Sequence, residues 1–129
     1  MARIMRMPSE AELPTGTVRD FVDLLFFLYR EAHRPTLREI SNRIARSELR
    51  GTASTETIRR MLHGKTVPAH WETVEAVLEV FCDLAGTDPN TDFYWQQDRG
   101  TRRWHLEQLW HQALDEPDRL YGYTSEAPF

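Results

Sequence analysis

Apolar residues recur at helical spacing through most of the chain, which predicts an all-α fold. The strongest stripe predicts a core helix over 17–32, capped by Thr17 and ended by the proline at Pro35. A residue that precedes a proline is pushed out of helical backbone geometry, which is why the helix ends there. The inward positions of this helix are Val18, Phe21, Val22, Leu25, Leu28 and Tyr29.

Three further helices are predicted downstream of the first. Thr36 opens a second helix with a capping box, and Ser54 caps a third helix that Gly64 ends. A fourth helix runs from about residue 70 to residue 84 and ends at Gly86. The inward positions of the three helices are Leu37, Ile40, Ile44, Ile58, Met61, Leu62, Trp71, Val74, Val77, Leu78 and Phe81.

The segments before and after the predicted helical domain over 17–86 are predicted to have other structures. Residues 91–114 are helical by composition, with Gly100 as a point where the segment divides into two helices, and strand alternation is not evident. The predicted organisation is an N-terminal arm over 1–16, a helical domain over 17–86, a C-terminal helical extension over 87–114 and an acidic tail over 115–129.

Charge is distributed unevenly along the chain, although the net charge is only −4. Residues 30–65 carry nine cationic and four acidic side chains, a net charge of +5, whereas residues 66–129 have a net charge of −8. A basic segment of this kind favours a polyanionic partner, because each cation near a phosphate releases a counterion. The alternative is that these arginines only solvate helix faces.

Residues that would indicate an enzyme or a metal site are sparse. Cys82 is the only cysteine, and His105 and His111 are spaced six apart, which does not suit two ligands on one helix face. No phosphate-binding loop or nucleophile elbow is present, so we expect no catalysis, cofactor or metal. No apolar run predicts a membrane span and no signal peptide is evident, so we expect a cytoplasmic protein.

Two segments of the basic region resemble a known family of DNA-binding proteins. The segment Ser54-Thr-Glu-Thr-Ile58-Arg-Arg-Met61-Leu-His-Gly64-Lys65-Thr66 is similar to the recognition helix of the Xre/Cro-type (phage-repressor-like) helix-turn-helix proteins, and Thr36–Ile44 is similar to their first motif helix. The segment 68–84 matches their fourth helix. The turn of about nine residues over 45–53 is longer than usual and resembles actinobacterial members, while the Trp-rich C-terminal region departs from minimal repressors.

The resemblance implies a repressor-like helix-turn-helix bundle of four to five helices with a Trp-rich C-terminal helical extension. It also implies sequence-specific binding of double-stranded DNA, with helix 54–63 in the major groove, and a role in transcription regulation. The implied base-contacting residues are Thr55, Glu56 and Arg60, and Arg59 beside them is a fourth candidate. The implied phosphate-contacting residues are Arg38, Arg43, Ser54, Lys65 and Thr66. Arg3 and Arg6 in the arm are further candidates, for the minor groove.

Some of these residues have plainer interpretations. Glu56 also suits the positive end of a helix, and the two arginines also suit a solvated face. Trp104, Leu109 and Trp110 either cover the hydrophobic back of the bundle or form a homodimer seam or docking face for a second protein. The alternative function is therefore a protein-interaction adaptor on a helix-turn-helix scaffold without DNA binding.

Overall fold

The computed structural model describes residues 5–48 and 51–115, which form five helices and one two-stranded sheet. The elements are α1 (Thr17–Glu31), α2 (Leu37–Arg46), α3 (Thr55–Leu62), α4 (Trp71–Ala85), β1 (Asp92–Trp95), β2 (Asp98–Thr101) and α5 (Arg102–Asp115). The four helices predicted over 17–86 are confirmed to within a few residues at each end. None of these described helices is both long enough and apolar enough to cross a membrane.

Helix α1 is the centre of the core because it is apolar on most of its circumference. Its predicted cap is wrong by one position, since Gly16 is the N-cap residue and Thr17 is the first residue inside the helix. The helix ends at Glu31, and after Ala32 two consecutive residues in the left-handed region, His33 (φ 67°) and Arg34 (φ 51°), turn the chain into Pro35. The buried side chains of α1 are Val18, Phe21, Val22, Leu24, Leu25, Phe26, Leu28 and Tyr29.

Helices α2 and α3 begin where side-chain caps were predicted. The Thr36 hydroxyl accepts a hydrogen bond from the backbone N–H of Glu39 at 3.0 Å, which confirms the cap of α2. The Ser54 hydroxyl accepts one from the N–H of Thr57 at 3.1 Å, which confirms the cap of α3. The pair packs on the core through Ile40, Ile44, Ile58, Met61 and Leu62, all of them buried.

The turn between α2 and α3 is held against the body of the protein at two described points. The Ser41 hydroxyl donates a hydrogen bond to the Ala53 carbonyl at 2.9 Å. Gly51 lies so close to α4 that a Cβ atom there would stand 1.9 Å from the Glu72 carbonyl oxygen. Glycine is therefore required at this position for close approach of two backbones.

The region between α4 and α5 corrects the sequence-based prediction. A helix over 91–114 is wrong for its first part, where β1 and β2 form an antiparallel hairpin with Asp92 opposite Thr101. Alternation places Phe93 and Trp95 on one face, where both pack against Phe27 of α1, with ring centroids 5.6 and 5.2 Å away. The two turn residues between the strands are glutamines at positive φ rather than the usual Asn-Gly, so the turn carried no recognisable signal.

The described part of the N-terminal arm packs on the core. Residues 5–16 form no helix or strand, but Met5 and Leu13 are buried. The Met5 backbone N–H donates to the Tyr29 hydroxyl at 3.1 Å, and Leu13 fits against Gly64 after α3. At the other end of the chain, Asp115 is the last residue of α5, and the rest of the predicted acidic tail lies outside the described residues.

The close approach at Gly51 gives a stability prediction. Gly51→Ala should lower the free energy of unfolding by about 1–3 kcal/mol, because the added methyl group meets backbone atoms of α4 that cannot move independently. Gly16→Ser is the control: no atom lies within 4 Å of a Cβ there, and serine is a good N-cap residue. Urea denaturation measures both variants. Equal stability of Gly51→Ala and the wild type would contradict the packing described here.

Candidate nucleic-acid interface

Helix α3 buries one face and exposes the other. Ile58, Met61 and Leu62 are fully buried, which fixes the rotation of the helix about its axis. On the outward side, Thr55, Glu56 and Arg60 are exposed and Arg59 is half-buried. The structure thus brings together on one exposed surface the four residues predicted to contact bases.

The charged residues of this surface are paired with one another. Arg59 donates to both carboxylate oxygens of Glu56, at 2.5 and 3.1 Å, and the Arg60 Nε donates to the same carboxylate at 2.9 Å. Hydrogen bonds from Arg59 and then Arg60 lower the pKa of the Glu56 carboxyl to about 2. The three side chains therefore carry one net positive charge rather than two. The spacing of three and four residues from Glu56 is the sequence signal for this pairing.

The start of α3 limits how Ser54 can contact a phosphate. Its hydroxyl already accepts from the Thr57 N–H and lies 3.0 Å from the Thr57 hydroxyl. The free backbone N–H groups of the first turn are the donors that remain for an anion at this end.

The predicted phosphate-contacting residues do not all lie on the same surface. Arg38 is exposed and makes no ion pair with any residue of 5–48 or 51–115, and Lys65 and Thr66 are exposed just beyond α3. Arg43 is different, because its guanidinium lies 3.2 Å from the Asp83 carboxylate on α4 and 3.7 Å from that of Glu39. The acidic partner on α4 draws Arg43 to the α2–α4 boundary, and this contact across 40 residues was not visible in the sequence.

One of the two arginines named as candidates in the N-terminal arm lies beside the end of α3, a position that spacing could not reveal. Arg6, from the N-terminal segment, lines a shallow cavity of about 230 Å³ together with Glu12, His63 and Lys65. Burial, followed by the charges of Arg59 and Lys65, lowers the pKa of the His63 imidazole. Arg6 extends the basic surface beyond the last turn of α3, whereas Arg3 lies outside the described residues.

The predicted partner face of three C-terminal residues is wrong for Trp110. This side chain is 7% exposed and packs against the Trp71 ring at an interplanar angle of 51°. It donates its indole N–H to the Pro68 carbonyl at 2.7 Å. It therefore fastens α5 to the start of α4, as the packing interpretation requires. Leu109 is half-buried, and Trp104 remains 49% exposed.

The potential metal ligands of the described residues are dispersed. Within residues 5–48 and 51–115, no three His, Cys, Asp or Glu side chains are grouped closely enough to hold a metal ion. Cys82 is buried, and burial raises the pKa of its thiol.

Comparison of the chain with known protein families, curated proteins and solved structures found no match.

The pairing at Glu56 is directly measurable. A carboxyl-detected NMR titration should place the Glu56 pKa near 2 in the wild type and near the ordinary value of 4.5 in Arg59→Ala/Arg60→Ala. Because folding lowers this pKa, the stability contributed by the carboxylate is complete above pH 4.5 and is lost as the pH falls through about 2. An ordinary pKa in the wild type would show that the two arginines do not hold Glu56.

Proposed function

We propose that this chain binds double-stranded DNA through α3, as a transcription regulator built on a repressor-like helix-turn-helix. The observation that carries the proposal is the outward face of α3, where four polar side chains stand opposite a fully buried apolar face. This helix lies in the segment of net charge +5, which supplies attraction to phosphates. A short helix of this kind fits the major groove of B-DNA.

The side chains on this face match the chemistry of base edges. Arg60 offers paired N–H donors for the two acceptors of guanine, and Thr55 offers a hydroxyl and a methyl group. Glu56 accepts from the amino group of cytosine when one of its arginines leaves it. In this proposal Arg59 stays on Glu56 and holds the carboxylate in place while Arg60 reads a base.

The Glu56 pairing gives the proposed interface a source of specificity. A random phosphate must compete with a carboxylate that already binds both arginines, so Glu56 weakens indiscriminate binding. A guanine edge provides two acceptors at once and competes better. The pair of arginines is therefore restrained until the correct base is in place.

Flanking groups complete the proposed contact with the DNA backbone. Arg38 near the start of α2, Lys65 and Thr66 after α3, and the free N–H groups at the start of α3 provide donors for phosphates. Arg43 is left out of this proposed set because its guanidinium lies beside Asp83 at the boundary of α2 and α4. One α3 covers about one half-site, so we propose that two copies of the chain bind successive major grooves.

An adaptor function without DNA binding is the second candidate. It is favoured by the ion pairs of Glu56 with Arg59 and Arg60, which reduce the positive charge of α3. It is also favoured by two exposed aromatic side chains, Tyr94 (61% exposed) and Trp104 (49% exposed). Aromatic groups of this size concentrate in protein interfaces. Binding by an adaptor would depend on these aromatic residues and not on the arginines of α3.

Fluorescence anisotropy with duplex DNA at two salt concentrations tests the proposal. Wild-type affinity should fall steeply with salt, and Arg59→Ala/Arg60→Ala should bind too weakly to measure at the higher concentration. Arg99→Ala is the control, since Arg99 is exposed but pairs with Asp92 on the hairpin. If Arg99→Ala binds DNA as tightly as the wild type does, the result supports α3 as the DNA-binding site. Absence of salt-dependent binding by the wild type would contradict the proposal.

A second variant tests the restraining role of Glu56. Glu56→Gln releases both arginines, so it should bind random duplex DNA more tightly, and the salt dependence should steepen by about one phosphate contact. The same titration measures this change, and Glu72→Gln, an exposed carboxylate on α4, is the charge-matched control. Weaker binding to random DNA by Glu56→Gln would contradict the restraint.

A further inference from the structure

A groove lies between the hairpin and α5, outside the surface of α3. It has a volume of about 290 Å³, and its walls come from α1, both strands, the turn that joins them, and α5. Two indoles (Trp95 and Trp104) and two carboxylates (Asp20 and Asp98) line it, together with three glutamine side chains. This combination of aromatic faces and anionic groups is typical of sites that hold a cation.

The two indoles are held in place by the packing around them. Trp95 meets Phe27 edge to face, with ring centroids 5.2 Å apart, and stacks on Phe93. Trp104 lies edge to face with His105 at 5.0 Å, and a Cβ on Gly100 would come within 2.8 Å of its ring. Trp104 nevertheless stays 49% exposed, so solvent reaches the aromatic wall of the groove.

The two carboxylates lack a cationic partner within the described chain. Asp20 and Asp98 form no ion pair with any residue of 5–48 or 51–115. The neighbouring arginines are engaged elsewhere: Arg19 donates to the carbonyls of Ser9 and Leu13, and Arg99 to the Asp92 carboxylate.

The imidazole in the wall of the groove is engaged by the backbone of the hairpin. His105 lines the groove, but its Nε2 lies 3.2 Å from the Phe93 carbonyl, which occupies that ring nitrogen. Within the described residues, the groove therefore presents two carboxylates that no salt bridge engages.

We propose that this groove binds an arginine side chain of a partner protein. A guanidinium stacks on an indole face and directs five N–H donors to its edges, where the two carboxylates and the glutamine carbonyls accept them. An ammonium group has neither the planar face nor the fork of donors, so lysine fits less well. The occupant is a basic protein segment, since the charge of the groove excludes the nucleic acid proposed for α3. This site and its test are independent of DNA binding.

The four tryptophans of the chain make the test internally controlled. The probe is the blocked tripeptide acetyl-Gly-Arg-Gly-amide, titrated into ¹⁵N-labelled full-length protein while the indole N–H signals are followed by NMR. The signals of Trp95 and Trp104 should shift together and saturate with a Kd on the order of 1–10 mM, as expected for one cation–π and ion-pair contact. The signals of Trp71 and Trp110, which pack against each other, should stay in place.

Matched peptides separate arginine recognition from general attraction. The same peptide with citrulline, which keeps the shape but not the charge, should cause no shift, and the lysine peptide should bind at least about threefold more weakly. Tetramethylammonium chloride probes for a simple ammonium site. Equal shifts with citrulline, or tighter binding of lysine or tetramethylammonium than of arginine, would overturn the proposal.

Variants of the protein locate the binding to this groove. Asp20→Asn/Asp98→Asn should weaken the arginine peptide at least about fivefold, and Trp104→Ala should abolish the shift of the Trp95 signal. Glu72→Gln is the control and should bind as the wild type does. Unchanged binding in the Asp20→Asn/Asp98→Asn protein, or no shift of the wild-type Trp95 and Trp104 signals at any peptide concentration, would overturn the proposal.

Discussion

Burial of α1 on almost every side is the constraint on which the rest of the structure depends. A helix with eight buried apolar side chains must be covered from several directions, and α3, α4 and α5 each contact it. The hairpin adds two aromatic residues against Phe27. The outward face of α3 and the groove beside α5 are therefore two surfaces of one packed body, built from different elements around the same helix.

Two adjacent arginines at the start of α5 link this helix to α1 and α4. Arg102 forms two hydrogen bonds with the Glu31 carboxylate at the end of α1, and its guanidinium lies 4.3 Å from the ring centre of Phe93. Arg103 pairs with Glu75 and Glu79 of α4. Part of the acidic charge of residues 66–129 thus serves internal contacts, whereas Asp98, with Asp20 of α1, is left to face the groove.

The sequence predicted most accurately what local spacing determines. Four helices, the caps at Thr36 and Ser54 and the left-handed glycine Gly64 follow from periodicity and capping chemistry within a few residues. The hairpin could not be predicted in this way, because its strands have only four residues each and its turn consists of two glutamines instead of the usual Asn-Gly. Contacts between distant positions, such as Arg43 with Asp83, depend on how helices pack and leave no trace in spacing.

The most direct test of the account is to map, residue by residue, where duplex DNA touches the protein. Backbone amide signals of ¹⁵N-labelled protein would be followed by NMR during a titration with duplex DNA at low salt. We expect the largest changes over 54–66 and near Arg38, with the hairpin and the first turns of α5 unaffected. Changes concentrated on the hairpin and α5, or no changes at any DNA concentration, would contradict it.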